Sequence, residues 1–392
     1  MNTKGSRYEK FPEICFMEMI KDFTDIYQKF SIHPEWGFLP AFTPLESLGP
    51  EFKVWDALAP KLPDLIKEQR VKSSLEKLPA FPLDKLHTQN EQERAMLLLA
   101  HYASAYVGEL GERRDHLPAN LAVPFAQLAD SLGRPAIVHH MTNVMYNWRK
   151  IDPAGAFIAE NLEALISFNG TKGESWFYNL TAEIEYVGAP ALADIIFIRE
   201  EGNKASEEVL IQHFESLLKY LKAMTASLSK MTERLEPEAF YHKVRPFLSS
   251  FVDIKFEGLT ENHIRSYAGG SAAQSSLIQA YDILLGVKHP EKRGDFLLAM
   301  RDYMPPLHKA FLEWLEEGMN FQDNLKSTEL GRSIYQEVLK ALFDFRNTHL
   351  KIVATYIAGP ARKSGLSLEG TGGTDALTFL KKVRNDMHEN RK

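Results

Sequence analysis

A mostly α protein, with a small N-terminal domain ahead of a large all-helical one, is what the sequence predicts. Three observations carry this. Apolar residues recur at three- and four-residue spacing through nearly all of the chain beyond residue 134, the alternating pattern of a half-buried strand is scarce, and 392 residues exceed what one ordinary core organises. The boundary is set by a charged, proline-punctuated stretch, Glu112-Arg113-Arg114-Asp115-His116-Leu117-Pro118, that passes Pro124 and ends at Gly133-Arg134-Pro135. It divides the chain into residues 1–133 and 134–392.

Taken in order, residues 31–60 carry Pro34, Trp36, Pro40, Pro44, Pro50, Trp55 and Pro60. They predict an irregular surface segment leading into short helices, because proline fixes φ and removes a backbone donor. A helix is expected over 60–77, with Leu62, Leu65 and Ile66 on one face. Another is expected over 91–107, where the polar opening Glu91-Gln92-Glu93-Arg94 gives way to Ala95-Met96-Leu97-Leu98-Leu99-Ala100, as in a helix entering a core. Residues 112–135 read as a link. Beyond it, helices are expected over 136–151, 158–167, 175–187, 189–199, 205–234, 237–250, 271–286, 292–302, 304–317, 329–358 and 374–390. There is no internal repeat, and a bundle of this size can enclose a cofactor.

The formal net charge of −6, without a long run of like charges, argues against a nucleic-acid partner. Cys15 is the only cysteine, which excludes internal disulfides and cysteine-rich metal or iron–sulfur sites and fits a reducing compartment. Residues 1–10 hold no apolar signal core and no later segment reaches the length of a membrane span, so a soluble, cytoplasmic protein with no membrane partner is expected. The Asn-Xaa-Thr triplets at Asn169 and Asn179 are then chance matches. Walker loops, dinucleotide fingerprints, paired-histidine zinc helices and Gly-Xaa-Ser-Xaa-Gly elbows are all missing, which weakens hydrolase and dinucleotide readings.

Four stretches hold candidate chemistry. In the 329–358 helix, Leu342, Phe345, His349, Ile352, Val353 and Tyr356 share an apolar face, with Arg346 one turn before the histidine. A neutral imidazole there suits axial ligation of haem iron, with the arginine placed for a propionate; a buried histidine bonded to a backbone carbonyl fits the same pattern. Ala268-Gly269-Gly270-Ser271-Ala272-Ala273-Gln274-Ser275-Ser276 runs into a helix, and is either a loop that lets an anionic or flat ligand approach closely or simply a tight helix start. Gly370-Thr371-Gly372-Gly373-Thr374-Asp375 is a closing segment or a linker. Tyr241 and Arg245, four residues apart, offer an aromatic wall and a guanidinium fork to one pocket, or a cation–π pair to solvent.

The order of these motifs is more specific than any one of them. Ala239-Phe240-Tyr241 with Arg245, the 269–276 loop with Asp282-Ile283-Leu284-Leu285-Gly286, Tyr303-Met304-Pro305-Pro306-Leu307-His308, His349-Leu350-Lys351-Ile352-Val353 and 370–375 together resemble the indoleamine 2,3-dioxygenase family. Leu62-Pro63-Asp64-Leu65-Ile66, residues 117–124, Asn147-Trp148-Arg149-Lys150 and Ser167-Phe168 extend the resemblance over most of the chain.

The resemblance implies a haem b enzyme whose small N-terminal domain caps a large helical haem-binding domain. By position it implies that His349 is the proximal iron ligand, that Arg346 and Asp282 support haem and ligand, and that Gly270, Ser271 and Ala272 form the loop at the haem edge. Phe240 and Tyr241 precede Arg245, which matches the clamp on the substrate carboxylate. Phe177 and Thr181 would make the distal face, and Thr371 would sit on the closing loop. The implied reaction places both atoms of O2 across the indole 2,3-bond of L-tryptophan or a related indoleamine, giving N-formylkynurenine, the first step of the kynurenine route. A reductant that keeps the haem ferrous is implied, in a monomer. No residue is assigned acid–base work: an apolar pocket that orients the indole suffices.

Several positions depart from the better-known animal pattern. His140 stands where a tyrosine lines the pocket, Tyr241 replaces a phenylalanine, Thr181 a serine and Phe251 a tryptophan. These bear on substrate preference more than on haem binding. The alternatives are a haem enzyme acting on a modified tryptophan or indole, and a non-catalytic haem sensor; the latter has no need of the Arg245 clamp.

Overall fold

The computed structural model describes residues 23–108, 113–261, 263–364 and 376–389. It is mostly α, as the periodicity predicts. Helix α1 (Thr24–Lys29) opens the described chain, and the turns after it bury Ile32, Phe38 and Leu39. Phe30 meets Phe311 at 5.5 Å between ring centroids, and Phe38 meets His308 at 4.7 Å. The irregular backbone expected over 31–60 is present and much of it is exposed as expected, but Ile32, residues 37–40, Phe52 and Trp55 are buried. Large aromatic side chains let a proline-rich loop seal a core.

Short helices α2 (Lys53–Asp56), α3 (Leu62–Lys67) and α4 (Val71–Leu75) bury Trp55, Leu62 and Val71 in one cluster with α5 (Gln89–Val107). A capping box starts α5: Thr88 Oγ1 accepts from the Glu91 N–H at 3.2 Å, and Glu91 accepts from the Thr88 N–H at 2.8 Å. From Glu93 onward every residue of α5 is buried. Its two charged residues there are paired, Glu93 with Arg134 at 2.7 Å and Arg94 with Asp56 at 3.1 Å, as buried charges must be.

The link expected over 112–135 holds β1 (His116–Leu117) and a further helix, α6 (Ala119–Ser131), with Pro124 inside it. An interior proline costs about 3 kcal/mol. Leu121, Ala122, Phe125, Leu128 and Ala129 are all buried on this helix, and about 1.5–3 kcal/mol for each large apolar side chain outweighs that loss. Conversely, the helices expected over 136–151 and 158–167 reduce to a π turn at Met141–Met145 and a 3-10 turn at Ala159–Asn161. Side chains take the backbone groups a helix would use. Asn147 donates to the Ile166 carbonyl at 3.0 Å and accepts from its N–H at 2.9 Å, and Glu183 accepts from the Ala159 N–H at 2.7 Å. The chain here runs extended as β2 (Arg149–Lys150) and β3 (Leu162–Glu163).

Next come α7 (Lys172–Gly188), capped by Thr171, α8 (Ala191–Glu201) and α9 (Glu207–Ser229), capped by Ser206. Helix α10 (Pro237–Lys243) stops short of 250, and the chain goes on as a separate 3-10 turn, Arg245–Leu248, that holds Pro246. Strand β4 (Phe251–Phe256) pairs antiparallel with β5 (Ile264–Tyr267) and parallel with β1, in the order β1-β4-β5. The chain ends in α11 (Ser276–Leu284), α12 (Glu291–Met300), α13 (Pro306–Gly318), α14 (Gln322–Leu325), α15 (Glu329–Val353), α16 (Gly359–Ser364) and α17 (Ala376–Glu389). Helix α15, roughly 37 Å long at 1.5 Å per residue, lies along α9. Glu207 at the start of α9 accepts from both the N–H and the hydroxyl of Thr328, the cap of α15, at 2.9 Å each, which sets the two helices in register.

Buried side chains form two clusters. One surrounds α5 and α6 and takes in Phe168, Trp176, Phe247 and Phe256. The other joins α8, α9, α11, α13 and α15 to the segment from Tyr27 to Leu39. No helix among the described residues is long and apolar enough to cross a membrane.

Candidate functional site

Helices α7, α11, α15 and α17 and the 270–273 loop enclose a cavity of about 280 Å³. Helix α15 supplies Phe345, Arg346, His349, Ile352 and Val353, the apolar face that the periodicity singles out. It continues through a π turn, Ala354–Ala358, whose Tyr356 also lines the cavity and donates its hydroxyl to the Leu235 carbonyl at 2.7 Å. An extra residue in one turn re-aims the side chains that follow it, and such turns gather at functional sites.

His349 has no hydrogen-bond partner among the described residues, so the buried-histidine reading, which requires a backbone carbonyl, is not met. Burial, then the charge of Arg346, push its imidazole down to about 4. The ring is therefore neutral near pH 7, the form that binds a metal. Arg346 places Nη2 at 2.6 Å from Asp282 Oδ1 on α11, while its buried Nη1 has no acceptor. A guanidinium with one half paired and the other half without a partner keeps donors that can pair with an anionic group.

Asp282 also reaches outward. His289 Nε2 stands 3.6 Å from Asp282 Oδ2, and His289 Nδ1 stands 3.0 Å from Asp386 Oδ2 on α17, where Arg293 Nε also donates at 2.9 Å. Burial alone would raise the Asp282 carboxyl, but Arg346, then His289, hold it below the usual range. Burial opposes a charge on His289, yet Asp282 and Asp386 hold its pKa above the ordinary imidazole value. A group whose folded pKa is raised contributes stability below its unfolded pKa, about 6.5, and loses it as pH rises through the folded value. Amide exchange in 376–389, corrected for intrinsic rates, is accordingly expected to quicken as pH rises above about 6.5. In His289→Gln that pH dependence should vanish; its survival would show that His289 does not hold α17.

The substrate-facing residues expected from the sequence gather on the other walls. Phe177 and Thr181 come from α7, and Phe240 from α10, with the Phe177 and Phe240 rings 4.9 Å apart. Arg245 lines the cavity at the end of α10, with its guanidinium 5.0 Å from the Tyr241 ring centroid. Tyr241 itself lies outside the wall, buried beneath that arginine, so it backs the guanidinium where a pocket-facing role was expected. Gly270, Ser271 and Ala272 line the cavity in a loop held by Gln274, which accepts from the Ser271 N–H at 3.2 Å and donates to the Gly269 carbonyl at 3.0 Å. Gln274 also accepts from the N–H of His140 at 3.0 Å, tying the loop to that wall residue. Phe251 is buried away from the cavity. Thr371 and the closing segment lie outside the described residues.

Glu185 and the α17 residues Phe379, Leu380 and Val383 line the cavity without having been singled out in the sequence, and Ser275 lines it as part of the 268–276 stretch. For Glu185 a signal was available: it follows Phe177 and Thr181 at four-residue spacing on α7, and so shares their face.

A family model described as indoleamine 2,3-dioxygenase matches residues 26–390. The chain is 33% identical to indoleamine 2,3-dioxygenase 2 of Homo sapiens, over 92% of this chain and 94% of that protein. It is 31% identical to the indoleamine 2,3-dioxygenase of Saccharomyces cerevisiae, over 92% of each. It is also similar to the 6-hydroxytryptophan 2,3-dioxygenase of Fusarium equiseti, at 29% identity over 90% of this chain and 95% of that one.

Proposed function

This chain belongs to the indoleamine 2,3-dioxygenase family, and on that premise we propose that it is a haem b enzyme placing both atoms of O2 across the indole 2,3-bond of L-tryptophan, with N-formylkynurenine as product and the kynurenine route as its context. The observation that carries this reading is the convergence, in one largely apolar cavity, of an unpartnered neutral His349, a half-satisfied Arg346 and the Arg245 guanidinium.

The residues fit haem. Among the described residues no cluster of three His, Cys, Asp or Glu side chains could hold a metal, so a lone imidazole suits a metal that brings its other ligands with it. His349 would hold the iron, and Arg346, oriented by Asp282, would pair with a propionate. Bound haem supplies the activation of dioxygen. The protein's own part is to bind and orient: Arg245 holds the amino-acid carboxylate through its planar fork, Phe177, Phe240 and Tyr356 pack the ring, and the apolar wall keeps water away. The loop at 270–272 borders the haem edge in this reading, and Thr371 contacts the substrate. A small N-terminal part (1–133) capping the rest (134–392), a monomeric cytoplasmic enzyme and a cellular reductant belong to the same proposal.

Haem-loaded, reduced protein is expected to convert L-tryptophan to N-formylkynurenine under O2, followed by product absorbance and mass. Failure to turn over or bind L-tryptophan or any ring-modified tryptophan would overturn the reading. Action on a modified tryptophan is the second reading. The polar pair of His140 and Glu185 in the cavity wall favours it, as does the substrate named for the Fusarium relative.

A further inference from the structure

One stretch of the cavity wall is built unlike the rest. His140 Nε2 lies 3.0 Å from Glu185 Oε1, and the same oxygen accepts from Ser275 Oγ at 2.6 Å. All three residues line the cavity and all three are buried: His140 is 8% exposed, Glu185 5% and Ser275 4%. Their neighbours on the wall include Val144, Ile184 and Ile278, with Asn143 and Gln279 as further polar residues. Two ionisable side chains in so apolar a wall are costly unless their remaining polar atoms are satisfied. His140 Nδ1 and Glu185 Oε2 have no protein partner among the described residues, yet neither is sealed from solvent. Behind the pair lies a second cavity of about 10 Å³, room for one water at most. A water there can serve one of these atoms, and the main cavity, which both residues also line, is open to the other.

The pair also has a defined place relative to the clamp. Phe177, Thr181 and Glu185 form one stripe on α7, and Glu185 lies eight residues beyond Phe177, roughly 12 Å along the helix. Phe177 packs on Phe240 of α10, and Arg245 opens the turn that follows that helix. The stripe thus runs from the clamp end of the cavity to the polar pair. An amino acid held at Arg245 by its carboxylate lays its ring along the stripe, with the far edge toward Glu185. Thr181 offers no donor on the way, since its hydroxyl is already given to the Phe177 carbonyl at 2.8 Å.

We propose that His140 and Glu185, positioned by Ser275, form a specificity subsite that accepts a hydrogen bond from a hydroxyl carried on the benzo ring of an indole amino acid. This rests on the family reading of the cavity and deepens it by naming the substrate class. A plain indole ends in C–H at that edge and leaves the Glu185 carboxylate oxygen that His140 does not hold without a partner, whereas a ring hydroxyl fills it. Sites built around a substrate hydroxyl discriminate strongly against the analogue that lacks it.

The test uses full-length haem-loaded protein with L-tryptophan, 5-, 6- and 7-hydroxytryptophan, and the corresponding methyltryptophans as steric controls. Both kcat/KM and Kd, the latter from the ligand-induced change in the haem spectrum, are measured. At least one hydroxytryptophan is expected to exceed L-tryptophan by about 10- to 100-fold, with no such gain from its methyl counterpart. In His140→Phe and in Glu185→Gln, the hydroxy-to-plain ratio within each variant should collapse toward the methyl control. Each ratio is taken within one protein, so a variant that binds all ligands less well still reports on the subsite. A wild-type protein that prefers L-tryptophan over every hydroxylated form, or ratios unchanged in both variants, would overturn the subsite while leaving the dioxygenase reading intact. Absence of binding and turnover for the whole panel would overturn both.

Discussion

His349→Ala is expected to abolish stable haem binding and with it all turnover, the largest effect any single substitution in this chain should have. Losing a residue that merely orients a ligand lowers metal affinity by about 10- to 100-fold, so losing the ligand should exceed that. No neighbour is placed to substitute. The other histidine that lines the cavity is His140, engaged with Glu185, and no other histidine shares the α15 face with Arg346. The measurement is the Soret band of purified protein after haem titration, with folding checked by far-ultraviolet circular dichroism. Imidazole added to the variant should restore part of the band, because the cavity vacated by the side chain opens toward the remaining apolar face. An unaltered Soret band and full activity in His349→Ala would show that the iron is held elsewhere.

That residue was legible in the sequence because one helix carries the whole signal: the apolar stripe of α15 needs no tertiary information to be seen. Its partner was not. Arg346 and Asp282 are 64 positions apart, and only resemblance to a family placed them together; the structure joins them at hydrogen-bond distance. Helix α6 was missed for the opposite reason, since Pro124 is a strong local signal that burial of Leu121, Phe125 and Leu128 overrides. The helices expected over 136–151 and 158–167 failed where Asn147 and Glu183 capture backbone groups from sequence-distant residues, a competition that periodicity cannot register. Glu185 occupies a middle case. Its place on the α7 stripe was readable, but its meaning depends on His140 and Ser275, which arrive from two other segments.

Arg245→Ala is expected to lower kcat/KM for L-tryptophan by about 30- to 1000-fold, the equivalent of about 2–4 kcal/mol of lost transition-state binding. The argument starts from how the side chain is held. It opens the 3-10 turn Arg245–Leu248 that follows α10, and Tyr241 underlies its guanidinium at 5.0 Å. A planar cation stacked over a buried ring keeps its fork in one orientation, so little rotamer freedom remains to be lost when a carboxylate arrives. Arg245→Lys should therefore recover only a small part of the loss, because an ammonium neither stacks in that way nor offers two parallel donors. Tyr241→Leu should weaken the same contact by a smaller factor, through a looser guanidinium. Haem binding should be untouched in all three, which separates this wall of the cavity from that of His349. Kinetics of Arg245→Ala indistinguishable from the parent protein, at an equal Soret band, would mean that the substrate carboxylate is held by another group.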